Sequence, residues 1–192
     1  MKKLLFLAAA CLLALPVSGQ FTGKMKFNSM GKTRSFTVHS SDEGYRYDFD
    51  ESGQKGALIV KNDSRDVIIL MPQQRMAMKS PSENPMSISN DPLKSLEYYQ
   101  ASGLMKEAGK ESINGVMCNK SIMYNKDNPT QEMFTLWYSD QYKFPMKMVN
   151  HIDGTENSGM EMSEVKPWSP DPQIFEIPAG YNVMDVPGML EK

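Results

Sequence analysis

The chain has 192 residues, 23 acidic side chains against 21 basic ones and a formal charge of −2. That balance offers no basic stripe, so no nucleic-acid partner is expected. Two cysteines exclude a disulfide-dense scaffold, and the length suits one domain with a substantial core.

The N-terminus reads as a targeting segment. Lys2 and Lys3 are basic, Leu4 to Leu15 is a short apolar run, and Val17-Ser18-Gly19 places small residues before a cleavage point at Gln20. This is the pattern of a secretory signal peptide, too short to span a bilayer as a mature helix. A lipoprotein cut before Cys11 is the weaker alternative, because Leu12 to Leu15 continue the apolar run past it. The expectation is therefore residues 1–19 as signal and residues 20–192 as a single domain, periplasmic or secreted. No later apolar run approaches a membrane span, so an integral membrane protein is not expected. With Cys11 removed, Cys118 has no partner for an internal disulfide. It reads as a small buried hydrophobe beside Val116.

From Phe21 onward the pattern is period two. Phe21, Gly23, Met25 and Phe27 alternate with Thr22, Lys24 and Lys26, which predicts a half-buried strand. Gly31-Lys32 is a turn, and Phe36 with Val38 marks a second strand. Tyr45, Tyr47 and Phe49 form an aromatic row on one side of a third, because successive side chains in a strand point to opposite faces. Ala57 to Val60 and Val67 to Met71 are short apolar runs, and Met76 and Met78 follow. Ser80 to Asp91 is a polar loop with Pro81 and Pro85. A helix is predicted after it: Asp91 suits the N-cap, Pro92 the first turn, Leu93, Leu96 and Tyr99 a buried stripe, and Gly103 the C′ position.

Gly109 to Ser139 is predicted to be strand, turn, strand, turn, strand. Asn114-Gly115 is a two-residue hairpin signal, since both central residues of a type I′ turn need positive φ. Asn125 to Thr130 is a longer turn. In the third strand Phe134, Leu136 and Tyr138 share one face, with Met133 and Trp137 on the other. Pro145 to Ile152 and Gly159 to Lys166 read as two more strands about Asp153-Gly154. A proline-rich segment, Pro167 to Pro187, follows, with a short strand predicted at Phe175 to Ile177.

The chain holds 17 methionines. Met76/Met78, Met146/Met148 and Met160/Met162 are spaced to put two thioethers on one strand face. Three readings are open: a repackable apolar cavity lining, soft-ligand chelation of Cu(I), and ordinary core filling. His39 and His151 are the only histidines and neither adjoins a pair. Asp48-x-Asp50-x-Ser52-Gly53 begins like a calcium loop, but Ile59 stands where a bidentate Glu is required, so it reads as a polar hairpin turn. There is no nucleophile elbow, P-loop, dinucleotide fingerprint or zinc-protease motif. An enzyme is not expected, nor any cofactor or resident metal.

Gly109-Lys110-Glu111-Ser112-Ile113-Asn114-Gly115-Val116-Met117-Cys118, then Trp137-Tyr138-Ser139 and Phe144-Pro145-Met146-Lys147-Met148, and last Phe175-Glu176-Ile177-Pro178-Ala179-Gly180-Tyr181 resemble, in that order, motifs of a secreted bacterial family. That family is domain of unknown function 4412, itself similar to the LolA-like periplasmic lipoprotein carriers. The resemblance implies a mainly β (α+β) fold: a curved antiparallel sheet forming an incomplete β-barrel, with one or few helices over an apolar concave face. In the carriers that face holds acyl chains. The candidate groove is Tyr45, Tyr47, Phe49, Met76, Met78, Phe134, Leu136, Met146 and Met148. The expected partner is a lipid or a lipoprotein acyl chain. The alternative is a filled-core module that meets an envelope protein through strand edges or the Pro167 to Pro187 segment, with Trp168 exposed there.

Overall fold

The computed structural model describes residues 19–29, 31–81, 84, 93, 96, 97, 100, 101, 103–152 and 158–186. The predicted signal, the cap residues Asp91 and Pro92, Tyr99 of the helix stripe and the Asp153-Gly154 turn lie outside the described residues.

Period-two patterning is realised as strands nearly throughout. The first meander is β1 (Phe21–Ser29), β2 (Lys32–Ser41), β3 (Gly44–Glu51), β4 (Gln54–Lys61), β5 (Val67–Met71) and β6 (Met76–Ser80). The second is β7 (Gly103–Ile113), β8 (Val116–Asn125), β9 (Glu132–Ser139), β10 (Phe144–Asn150) and β11 (Gly159–Pro167), and β12 (Asn182–Asp185) is the last strand among the described residues. They form one 12-stranded sheet in the order β12-β6-β5-β4-β3-β2-β1-β11-β10-β9-β8-β7. Among the described residues every pairing is antiparallel except β12 with β6. The fold class is the one read from the sequence: mainly β, a curved open antiparallel sheet with few helical residues.

Turn chemistry sets the hairpins. Asn114 and Gly115 take φ of 48° and 87°, between the paired Ile113 and Val116, as the type I′ reading requires. Ser52 and Gly53 likewise have positive φ, and Asp50 Oδ1 accepts from the Gly53 N–H at 3.2 Å. The calcium-like motif is thus a hairpin turn.

The sheet is strongly curled. Asn114 Nδ2, at the β7–β8 tip, donates to Met162 O of β11 at 2.7 Å. Three strand spacings of a flat sheet would hold these strands about 14 Å apart. Register shifts at Thr22/Lys24, Glu107/Lys110, Met123/Tyr124 and Pro145/Lys147 supply bends of the kind β-bulges produce.

Two apolar clusters lie on the sheet. One gathers Phe21, Val38, Tyr45, Tyr47, Phe144 and Met146 with their neighbours. The other, on the opposite face of β4 and β5, joins Ala57, Ile59, Ile68 and Leu70 to Phe175. Alternation requires this division, because Leu58 and Val60 point away from Ala57 and Ile59. Both faces are covered, which is why β4 reads as a continuous apolar run.

The C-terminal segment departs from expectation. Phe175 to Ile177 is not a strand: Pro172–Phe175 forms a 3₁₀ turn, capped by Asp171, whose Oδ1 accepts from the Gln173 N–H at 3.0 Å. The turn aims the fully buried Phe175 into the second cluster. Trp168 is half-buried there rather than presented as an exposed interface residue, with its ring 6.4 Å from Phe175 and 5.0 Å from His39. The last strand lies further on, at β12.

The predicted helix is present in part. Leu93, Leu96, Glu97, Gln100 and Ala101 are helical, and Leu93 packs against the first cluster. Gly103 is no left-handed C′ residue, however. It opens β7 without positive φ, pressed against the Met123 side chain.

The outer edge strand β7 is exposed along nearly its whole length. Lys106, Glu107, Lys110 and Glu111 and the bulge between them make it a poor template for a further strand.

Candidate functional site

Cross-strand register shows which side chains share a face. Val38, Tyr47, Leu58, Ile69 and Met78 are successive partners from β2 to β6. Beside them Met25, Phe36, Phe49 and Gly56 form a second row. Phe27, Met160, Met148 and Leu136 carry the same face into the second meander. Directly opposed residues of antiparallel strands project together. By register and alternation Tyr45, Tyr47, Phe49, Met76, Met78, Phe134, Leu136 and Met148 stand on one face. Met146 is the extra residue at the β9–β10 register shift.

Sharing a face does not bring them to one cavity. A pocket of about 570 Å³ opens at the hairpin end of β1 to β4. Its apolar floor is Met25, Phe27, Phe36, Tyr47, Phe49, Leu58 and Ile69. Of the nine candidates, Tyr47 and Phe49 line it. Tyr45 and Met146 are buried inside the first cluster, and Met148 is half-buried against it. Met76 and Met78 are half-buried on β6 and do not line the pocket. Phe134 and Leu136 are buried on β9 and do not line the pocket.

The floor is held by edge-to-face rings. Phe36 stands 6.4 Å from Tyr47 and 6.2 Å from Phe49, and Tyr45 stands 5.7 Å from Tyr47. Phe49 lies across Gly56, where an added Cβ would fall 2.3 Å from the ring. The missing side chain on β4 is what lets this ring lie down over the strand.

The rim is polar. Arg34 Nε lies 3.4 Å from Glu51 Oε1, and Asp50 and Ser52 stand beside them. The sequence reading missed these groups because they look like ordinary hairpin-end polar residues. The available signal was the pairing parity about Gly31-Lys32. It sets Arg34 opposite Phe27 and Phe36 opposite Met25.

Behind the pocket floor, on the reverse face, lies a charged network. Arg46 donates to Asp48 Oδ1 at 2.7 Å and to Ile174 O at 2.7 Å, and His39 Nε2 is 3.5 Å from Asp48 Oδ2. Burial pushes the Asp48 carboxyl up, but the hydrogen bonds from His39 and Arg46 outweigh it and hold the group below its ordinary 3.8. A depressed carboxylate contributes stability that is complete above the ordinary value and is lost as pH falls through the lower folded one. Asp48→Asn should therefore flatten the acid limb. The denaturant midpoint of the native chain should fall more between pH 5 and about pH 2 than that of the variant. Equal falls would remove Asp48 from the acid transition.

Cys118 is buried, and its thiol donates to Val116 O at 3.4 Å. Burial pushes its pKa up, so it stays a protonated thiol. Met148 faces Met160 and Met25 faces Met162 across paired strands. Met25, Met146, Met160 and Met162 are buried among apolar neighbours. No helix among the described residues is long and apolar enough to cross a membrane.

No family model and no curated protein matches the chain. Solved structures do. An uncharacterized conserved protein from Thermus thermophilus is 11% identical over 89% of this chain and 93% of its own, with a TM-score of 0.59. A LolA superfamily protein from Nitrosomonas europaea is 13% identical over 84% and 91%, with a TM-score of 0.43. A chain of the Pseudomonas aeruginosa MucA/MucB complex is 11% identical over 87% of this chain, which spans 58% of that one, with a TM-score of 0.44. What the chain shares with the Thermus protein is the fold: the same curved sheet over nearly the whole length of both.

Proposed function

We propose that this protein binds the apolar part of a lipid or acyl chain in the β1–β4 pocket, as a periplasmic or secreted protein of the LolA-like kind. The finer kinship with domain of unknown function 4412 is part of the same proposal. The observation that carries it is a cavity of about 570 Å³ floored by aromatic and aliphatic side chains and rimmed by a few charges. This is the usual make-up of a small-molecule site, for which volumes run about 300–1,000 Å³. The floor is also stiff. The second cluster packs on the reverse face of β4 and β5, so the rings are backed by core rather than by solvent.

The test is native mass spectrometry of protein purified without detergent, together with titration of a fluorescent acyl probe. A lipid-mass adduct lost on denaturation is the expected result. Phe49 is the residue to vary, since it is half-buried and lines the pocket, whereas Tyr47 is core and its loss would unfold the sheet. Phe49→Asp should weaken the probe by about ten-fold or more, the value of burying one aromatic ring, with the far-ultraviolet dichroism unchanged. A clean apo mass after incubation with envelope lipids, with no probe binding, would favour a filled-core module that meets an envelope protein.

A further inference from the structure

We infer that the pocket's ligand is a zwitterionic single-chain amphiphile, with its phosphate on Arg34 and its ammonium group on Glu51. The inference rests on the apolar-ligand reading above and specifies the head group.

Among the described residues Arg34 is the one basic side chain lining the cavity. It faces Glu51 at 3.4 Å, and the two side chains are 56% and 60% exposed. An ion pair so open to water is held weakly and is exchanged at little cost. A phosphate matches the planar guanidinium in two parallel hydrogen bonds. Once Arg34 turns to it, Glu51 is released to meet a positive group. Asp50, the next residue along the rim, alternates to the other side of β3 from Phe49 and Glu51, where its carboxylate accepts from the Gly53 N–H.

Charge balance decides the class. The pocket side of the rim sets one cation, Arg34, against one carboxylate, Glu51. A purely anionic head group would gain Arg34 and meet the like charge of Glu51. A purely cationic one would leave Arg34 opposed to it. A head group carrying both signs replaces one weak ion pair by two and leaves the net charge of the rim unchanged. The chain then runs onto Phe36, Phe49 and Ile69, and a pocket of this volume takes one such chain.

The experiment titrates the full secreted protein with three probes of one acyl length, each below its micelle concentration: lysophosphatidylethanolamine, lysophosphatidylglycerol and monoacylglycerol. The zwitterion should bind about ten-fold tighter than the other two. Arg34→Ala and Glu51→Gln should each bring it down to the affinity of monoacylglycerol. Both side chains are exposed, so the variants should fold as the native chain does. Equal affinities for the three probes, or tightest binding of the anionic one, would overturn the head-group assignment and leave the apolar reading standing. A zwitterion preference that survives both substitutions would also overturn it. Failure of all three probes to bind would overturn the apolar reading with it.

Discussion

Phe175→Ala should destabilise the fold by about 3–5 kcal/mol, the usual cost of deleting a buried ring and leaving a cavity. The thermal midpoint should drop by roughly ten degrees. Phe175 is fully buried, and its ring fills the reverse face of the sheet against Ala57, Ile59, Ile68, Leu70 and Ala77. Nothing small can settle into that space, because four of these neighbours sit on two rigid paired strands. The same ring carries the C-terminal segment. Arg46 hydrogen-bonds Ile174 O, and Lys61 pairs with Glu176, each one residue from Phe175. Removing the ring should therefore loosen Trp168, whose indole rests 6.4 Å away. Its emission should shift to the red and become quenchable by iodide, while Trp137, buried elsewhere, stays shielded. A loss under about 1 kcal/mol with unchanged emission would show that the segment is anchored by its hydrogen bonds alone.

Gly159→Ala should be more severe still, with a cost above about 4 kcal/mol and little folded protein recovered. Gly159 opens β11 at a φ of 141°, and a Cβ there would fall 1.9 Å from Met148 O. The obstacle is backbone, in the β10 strand to which Gly159 is registered through Val149, so no side-chain rotation relieves it. The strand cannot step aside, because β11 is held on its other edge by β1. The check is yield of soluble protein and near-ultraviolet dichroism beside the native chain. A variant of normal yield and midpoint would mean that this edge of β11 opens at low cost.

Much of this architecture is legible in the residues. Alternation marks β1, β3 and β9 directly, and Asn114-Gly115 fixes one hairpin to the residue. The misreadings share a cause. Phe175 and Ile177 alternate as a strand would, but Asp171 and Pro172 start a 3₁₀ turn, and the pull of the second cluster on Phe175 decides the outcome. Gly103 looks like a helix stop and is the first residue of a strand. The groove candidates illustrate the limit of period two. It says that Tyr45, Tyr47 and Phe49 share a side. It does not say that the hairpin ends of β1–β2 and β3–β4 meet around one pocket. Met76 and Phe134 share the face by register and do not line the cavity, while Met25, Phe36 and Arg34 do. Long-range pairing leaves no mark in local sequence.

The strand order also sets the order of assembly. Inside each meander every strand pairs with its neighbour in the chain, and such contacts form early and locally. The junction of the two meanders is different: Phe21 of β1 pairs with Pro167 of β11, so almost the whole chain must exist before it closes. A chain made from its N-terminus completes β1 to β6 while the outer edge of β1 stands bare, beside Met25 and Phe27. Such an edge invites pairing with another copy. The vulnerable species is therefore a half-made sheet open along β1, and along β6 until β12 is made. The refolding yield of this protein should depend on concentration most steeply at the step that joins β11 to β1.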